Sequence, residues 1–183
     1  MSTRVCPWWL TYTFDNPLRR LLHDPLEILG PHVSDEMRVA DLGCGMGYFT
    51  TTLATLVGPH GHVQAVDLQS EQLDRVRRRA ERAGVAERLE LTQCAADSLR
   101  LAAPLDFVLA FWMVHEVPDA ERYFREIKAA LRPSGRMLIA EPKMHVSARR
   151  FDTMVELCRR VGFDAAFGDR VSFSRTVLLS VTR

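Results

Sequence analysis

The chain has 183 residues, 47% hydrophobic and 26% charged, a composition typical of one globular domain with a filled core. Its 24 basic and 23 acidic residues leave a net charge of +1, which gives no global attraction to nucleic acid or to an anionic membrane. Four cysteines, at positions 6, 44, 94 and 158, lack the paired spacing of a zinc site and the density of a secreted disulfide scaffold. No apolar run is long enough for a signal segment or a membrane span, so we expect a cytoplasmic protein with reduced thiols.

The first 31 residues are predicted to form a helical and aromatic cap. Asn16-Pro17 and Asp24-Pro25 each place a capping side chain before a proline, which predicts one or two short helices over residues 16–29. Four aromatic residues precede them: Trp8, Trp9, Tyr12 and Phe14. Two roles stay open for these aromatics, namely a lid over a binding site or packing against an edge of the sheet.

From residue 38 onward, strand-like apolar runs alternate with helical periodicity. Strands are predicted at 38–42, 62–66, 89–93, 105–111, 136–140, 163–167 and 171–181. Helices are predicted at 48–57, from the cap Ser70 to Gly84, from the cap Asp119 to 131, and from Ser147 to Gly162. Such alternation requires a mostly parallel sheet with helices on both faces. Because no helix separates the last two strands, the final strand is predicted to be antiparallel in a single α/β, doubly wound domain.

A glycine-rich segment follows the first predicted strand. Gly43, Gly45 and Gly47 form the pattern G-x-G-x-G, and Cys44 is small enough to fit between them. Glycine allows positive φ and a close approach of the backbone to a ligand, while the next helix offers N–H groups to a carboxylate. Asp41 can attract an ammonium group. A ligand carrying both charges, such as the methionine half of S-adenosylmethionine, fits this loop better than a pyrophosphate does.

Later strand ends supply further candidate cofactor ligands. Asp67 ends the second strand, where a carboxylate can accept hydrogen bonds from ribose hydroxyls, and Leu68 can lie against a base. Asp97 and Ser98 follow the third strand and offer an acceptor for the exocyclic amine of adenine. Phe111, at the end of the fourth strand, completes the candidate cofactor-binding set.

Taken together, Asp41–Gly47, Asp67, Asp97 and residues 131–136 resemble the motifs of class I S-adenosylmethionine-dependent methyltransferases. The resemblance covers residues 38–182 and implies a Rossmann-like sheet of seven strands whose last strand is antiparallel. It also implies S-adenosyl-L-methionine as cofactor, with the glycine loop around its methionine moiety. Residues 115–119, His-Glu-Val-Pro-Asp, resemble the small-molecule branch that includes ubiquinone/menaquinone-type methyltransferases.

The catalytic candidates are His115 and Glu116, which follow the fourth strand where an acceptor would meet the methyl group. Glu141 and Lys143, after the fifth strand, have similar standing. Methyl transfer from a sulfonium depends mainly on alignment and a dry pocket, so it does not require an acid-base pair. Each of these residues can therefore also be a structural or solvated residue without a catalytic role.

A small-molecule methyl acceptor is expected, and no nucleic acid partner. Residues 110–115 lack the Asn-Pro-Pro-aromatic signature of enzymes that methylate amino groups of DNA bases. The arginines at 75, 77, 78, 79 and 82 share their helix with Glu71, Asp74 and Glu81, which favours a solvated helix face over an RNA-binding patch. No carboxylate spacing indicates a magnesium site.

Three alternative functions stay open. A nicotinamide-dependent oxidoreductase is disfavoured because its fingerprint is G-x-G-x-x-G. A module that binds S-adenosylmethionine without catalysis, as a sensor or assembly partner, has the same loop. A thiol-dependent metalloid methyltransferase would use several of the four cysteines, which are more often simply buried.

Overall fold

The computed structural model describes residues 22–168 and 170–182. Seven strands form one sheet in the order β3-β2-β1-β4-β5-β7-β6. Their bounds are β1 Arg38–Leu42, β2 His62–Asp67, β3 Leu89–Gln93, β4 Leu105–Phe111, β5 Leu131–Pro142, β6 Phe163–Phe167 and β7 Ser174–Val181. The neighbours from β3 to β5 are parallel, whereas β7 is antiparallel to both β5 and β6. The predicted α/β fold with one antiparallel last strand is confirmed.

Helices cover both faces of this sheet. In the described residues they are α1 Pro25–Leu29, α2 Thr50–Leu56, α3 Ser70–Ala83, α4 Ala120–Ala130 and α5 Ala148–Val161, with 3₁₀ turns at Ala86–Arg88 and Val114–Glu116. Leu29 of α1 and Leu53 of α2 belong to one hydrophobic cluster, and Phe124 of α4 and Phe151 of α5 to another. The two clusters contain alternate residues of the central strands, as expected for a doubly wound sheet. None of these helices combines the length and apolar content needed to cross a bilayer.

The helix ends follow their local sequence signals at five predicted positions. Asp24, Asp119 and Ser147 are N-caps whose side-chain oxygens accept a backbone N–H two or three residues later. Gly84 and Gly162 end α3 and α5 in the left-handed conformation, with φ of 67° and 98°. These capping predictions are confirmed.

Three predicted boundaries are wrong. Ser70 is the first residue of α3 and not its cap, because the extended backbone of Gln69 takes the N-cap position. The strand predicted at 136–140 begins at Leu131, which pairs with Leu105 of β4. The last strand begins at Ser174, after a turn at residues 172–173. Helices predicted before residue 22 and the four N-terminal aromatics lie outside the described residues.

Strand register brings the loops that follow β1, β2 and β4 to one edge of the sheet. Leu42, the last residue of β1, pairs with Val66 of β2 on one side and with Ala110 of β4 on the other. The Cys44 N–H then donates to the Val66 carbonyl at 3.1 Å, and the Cys94 N–H donates to the Asp67 carbonyl at 3.0 Å. This carboxyl-end edge is where open α/β sheets bind ligands.

Candidate active site

A cavity of about 510 Å³ opens at the carboxyl ends of the strands. One part of its wall, the glycine-loop half, comes from residues at the ends of β1, β2 and β3 and in the loops after them, together with Gln72 of α3. The other part, the histidine half, comes from residues at the end of β4 and in the turn after it, from Tyr123, from Pro142, Met144 and His145, and from Phe173. The volume falls in the range usual for cofactor and small-molecule sites.

The glycine loop has the backbone conformation that its sequence predicts. Gly43, Gly45 and Gly47 have φ values of 62°, 51° and 78°. A Cβ on Gly43 would lie 2.9 Å from the Met113 side chain, whereas a Cβ on Gly45 would meet no other atom within 4 Å. The backbone at Gly45 therefore borders open space, which lets a ligand approach it closely. Gly47 does not line the cavity and packs against Val76 of α3.

Two buried carboxylates support this loop from the cavity wall. Asp67 is 8% exposed, and its oxygens accept the N–H groups of Gly45 at 3.0 Å and Gln69 at 2.9 Å. Burial raises the pKa of Asp67, and the backbone donors partly offset that effect. A carboxylate has about four lone pairs, so Asp67 can still accept a hydrogen bond from a ligand hydroxyl. Asp41 is 3% exposed and accepts the Thr50 hydroxyl at 2.6 Å.

Most of the predicted site residues line this one cavity. They are Asp41, Gly43, Cys44, Gly45, Asp67, Leu68, Phe111, His115 and Glu116. Asp97 and Ser98 do not line it: Asp97 is exposed, and the Ser98 hydroxyl donates to Glu126 at 3.3 Å. Their turn presents Ala95 and Ala96 to the cavity instead. A role for Asp97 or Ser98 with adenine stays a prediction.

Two arginines of α3 reach the glycine loop, which the sequence interpretation of a solvated helix face missed. Arg75 Nη1 lies 3.3 Å from the Met46 sulfur, and Arg79 Nη1 lies 3.5 Å from the Met46 carbonyl oxygen. The Arg79 guanidinium also lies 5.7 Å from the centre of the Tyr48 ring. The sequence signal for this was their spacing of four residues, which places both arginines on the same face of the helix. The other three arginines, Arg77, Arg78 and Arg82, are exposed.

The histidine half contains an imidazole held by a buried carboxylate. Glu141 is fully buried, accepts the Val114 N–H at 3.0 Å and lies 2.8 Å from His115 Nδ1. This hydrogen bond is the main reason that the pKa of His115 is raised, and burial opposes it. Glu116 is more distant, with 4.0 Å between its carboxylate and His115 Nε2. Glu141 thus holds the His115 imidazole in one orientation. Enzymes that use a histidine as general base hold it in place with a hydrogen-bonded group in the same way.

The rest of the histidine half is apolar or aromatic. Phe111 and Trp112 stack at 5.5 Å between ring centres, and Trp112 Nε1 donates to the Ser174 hydroxyl at 2.8 Å. The Tyr123 hydroxyl donates to the Met113 sulfur at 3.2 Å. Among the described residues, no lysine or arginine lines the cavity.

The described cysteines do not assemble into a reactive thiol site. Cys44 and Cys94 line the cavity, whereas Cys158 lies on the buried face of α5, in the core. Burial raises the pKa of Cys94 to about 11 and that of Cys158 to about 12, and it raises the pKa of Cys44 as well. Since the thiolate is the reactive form, this geometry disfavours a thiol-dependent metalloid methyltransferase.

Comparison with known proteins decides among the remaining families. The sequence model of a methyltransferase domain family matches residues 33–168. The chain belongs to this family. It is a class I S-adenosylmethionine-dependent methyltransferase, and its cofactor is S-adenosyl-L-methionine. The nicotinamide alternative is therefore dropped.

The chain is similar in sequence or in structure to several known methyltransferases. A demethylmenaquinone methyltransferase from Lactobacillus johnsonii is 32% identical over 55% of this chain, and the match covers 42% of that relative. The crystal structure of an S-adenosylmethionine-dependent methyltransferase from Aquifex aeolicus is 20% identical, with a TM-score of 0.84 over 97% of this chain and 98% of that one. An rRNA methylase structure from Streptococcus thermophilus is 21% identical, with a TM-score of 0.66 over 92% of this chain and 98% of that one. The structural likenesses show the fold.

The glycine-loop half has the geometry that the sequence predicts for the cofactor site. Gly45 borders open space, Asp41 lies one residue before the end of β1, and Asp67 is the last residue of β2. The roles of Asp41 with the amino-acid part and of Asp67 with the ribose hydroxyls stay predictions. Leu68 is 39% exposed and lines the cavity beside them. The cofactor, when bound, supplies an electrophilic methyl group on a sulfonium.

Proposed function

We propose that this methyltransferase methylates a small, predominantly apolar acceptor without a phosphate or carboxylate, and that His115 is the general base. The observation that carries the proposal is the His115–Glu141 pair, with 2.8 Å between Nδ1 and the carboxylate, in the wall of an apolar cavity. The demethylmenaquinone methyltransferase similarity supports a small molecule as the acceptor class.

The charges of the cavity wall support an acceptor without negative charge. Its carboxylates are Asp41, Asp67 and Glu116, and its imidazoles are His115 and the exposed His145. An anionic acceptor would lose its hydration shell against carboxylates and find no described cation in the wall to compensate. The aromatic side chains of Phe111 and Trp112 instead favour a flat apolar molecule.

The same argument disfavours RNA as the substrate. Proteins bind single-stranded nucleic acid through a positively charged groove that follows the phosphates. The exposed arginines Arg77, Arg78 and Arg82 lie on α3 and do not line the cavity. A small-molecule acceptor therefore fits the described wall better than the substrate named for the rRNA methylase with the same fold.

Tautomer and geometry support His115 over Glu116 as the base. A proton on Nδ1 is donated to Glu141, which leaves Nε2 with a lone pair. Nε2 then accepts the proton that the acceptor loses on methylation. The Glu116 carboxylate lies 4.0 Å from His115 Nε2, and its side chain is 25% exposed against 16% for His115, so the imidazole is the more enclosed of the two groups.

Label transfer tests the proposed function. Enzyme and methyl-labelled S-adenosylmethionine are incubated with a cell extract, which is then separated into organic-soluble molecules, aqueous metabolites, RNA and protein. We expect the label in organic-soluble small molecules. Label confined to RNA, or to anionic metabolites, would overturn the proposal. A His62→Ala variant, which removes a half-buried histidine of β2 outside the cavity wall, is the matched control for His115→Ala.

The proposal includes a cytoplasmic location for the reaction. The described cysteines, Cys44, Cys94 and Cys158, are free thiols, which supports a reducing compartment.

A further inference from the structure

Exposed apolar side chains cluster at the mouth of the cavity. Met144 is 86% exposed and Phe173 is 57% exposed, and both line the cavity. Leu22, 40% exposed, precedes His23, which packs edge-on against Phe111 of the cavity wall. We call Leu22, Met144 and Phe173 the hydrophobic rim. Exposed apolar groups gathered in one place usually mark an interaction surface.

Hydrogen bonds hold the three segments of the rim together. The Lys143 N–H donates to the Phe173 carbonyl at 2.8 Å, which ties the loop after β5 to the turn before β7. His23 Nε2 lies 2.7 Å from the Ser172 carbonyl oxygen, so the imidazole donates to it and joins the start of the described chain to the same turn. The three segments that carry the rim therefore lie next to one another.

Positive charge borders the rim on the side of the loop after β5. Residues 142–151 contain Lys143, Arg149 and Arg150, all exposed, and no acidic residue. Arg150 is close enough to the cavity that its charge lowers the pKa of His115. The acidic residues nearest in sequence to the rim are Asp24, which is the N-cap of α1, the fully buried Glu141, and Asp169, which lies outside the described residues.

We propose that the hydrophobic rim docks on an anionic lipid surface, and that the acceptor enters the cavity from the lipid. Apolar side chains beside lysine and arginine are the composition of interfacial membrane contacts, because the apolar groups enter the headgroup boundary while the cations pair with anionic lipids. The cavity mouth then faces the bilayer. The nature of the acceptor rests on the proposed function, whereas the docking does not.

Vesicle flotation with the full chain tests the docking, with neither cofactor nor acceptor present. We expect the protein to float with vesicles of phosphatidylcholine containing about 30% phosphatidylglycerol, and less with phosphatidylcholine alone or at high salt. The double variant Met144→Ser/Phe173→Ser should lower the partition coefficient about tenfold. Phe167→Ser, which removes an aromatic residue 84% exposed on β6 and outside the cavity wall, is the matched control and should bind like the wild type.

A second pair of variants tests the contribution of the basic residues beside the rim. Lys143→Gln/Arg149→Gln should weaken flotation with the anionic vesicles only, whereas Arg77→Gln/Arg78→Gln on α3 should leave it unchanged. Melting curves establish that each variant is folded.

Three results would overturn the docking. They are no flotation of the wild type with either vesicle, equal flotation of wild type and Met144→Ser/Phe173→Ser, and a rim-dependent dimer that does not bind vesicles. Such a dimer would assign the rim to a second copy of this chain. If flotation fails but label transfer finds the methyl label in organic-soluble molecules, the docking is overturned and the proposed function stands. If the label is found in RNA, the proposed function is overturned whatever the flotation result.

Discussion

The two halves of the cavity are built by different means. The glycine-loop half relies on backbone conformation and on carboxylates at strand ends, with Gly45 and Asp67 bonded at 3.0 Å across 22 residues of sequence. The histidine half relies on side-chain pairs, such as Trp112 with Ser174 across 62 residues. The glycine-loop half therefore depends on residues at strand ends that local sequence signals identify, whereas the histidine half depends on side-chain contacts between separate elements. Variants in each half should separate binding from turnover.

The largest expected effect is on turnover, in the histidine half. His115→Ala removes the base, and we expect kcat to fall about 10²- to 10⁴-fold. The dissociation constant of S-adenosylmethionine should stay near the wild-type value, since His115 belongs to the other half. Steady-state kinetics with the acceptor identified by label transfer, together with calorimetry, measures both. If His115→Ala lost affinity for S-adenosylmethionine as strongly as it lost turnover, the two halves of the cavity would not be separable.

In the glycine-loop half, Asp67→Ala should weaken cofactor binding about 100-fold, because hydrogen bonds to a buried carboxylate are lost on the ligand side and at Gly45. Calorimetry measures the affinity. Asp97→Ala is the matched control at an exposed carboxylate, and we expect a much smaller effect there. If Asp97→Ala weakens binding as much as Asp67→Ala does, the turn after β3 contributes a cofactor ligand that the cavity wall does not include.

A smaller effect is expected from the loop backbone. Gly43→Ala and Gly84→Ala both place a side chain at positive φ, 62° and 67°, which costs about 1 to 2 kcal/mol of stability each. Only at Gly43 would the new Cβ meet another side chain, at 2.9 Å from Met113. Gly43→Ala should therefore also weaken cofactor binding, and Gly84→Ala should not. Thermal melts with and without cofactor distinguish them, and equal cofactor affinities would show that the loop tolerates displacement.

The smallest expected effect is a shift of the pH profile. Glu141 raises the pKa of His115, so Glu141→Gln should lower that pKa. Because only the neutral imidazole accepts a proton, kcat rises with pH through this pKa, and its rising limb should move to lower pH in the variant. An unchanged limb would mean that His115 is not the titrating base. His115→Ala should lose the limb altogether.

Local chemistry explains which parts of the fold were predictable. Asp24, Asp119 and Ser147 satisfy backbone N–H groups within three residues, so their caps can be recognised in sequence. Leu131 extends β5 only because Leu105 lies beside it, and that pairing depends on the folded sheet. Ser70 is a good capping residue displaced by the backbone conformation of Gln69.

The same distinction holds for the site. Gly43, Gly45 and Asp67 could be predicted because glycine spacing and a strand end determine where they lie. The pairing of His115 with Glu141 joins residues 26 apart, one in the 3₁₀ turn after β4 and one on β5, and the contribution of Phe173 depends on the turn before β7. Sequence named both glutamates, Glu116 and Glu141, as candidates, and only tertiary packing distinguishes the one that holds the imidazole.

Calorimetry of the wild type and His115→Ala with S-adenosylmethionine tests most directly whether the cavity has two separable halves. The account predicts that both proteins bind S-adenosylmethionine with similar affinity and that neither binds NADH. Binding of NADH without S-adenosylmethionine, or loss of S-adenosylmethionine binding in His115→Ala, would contradict it.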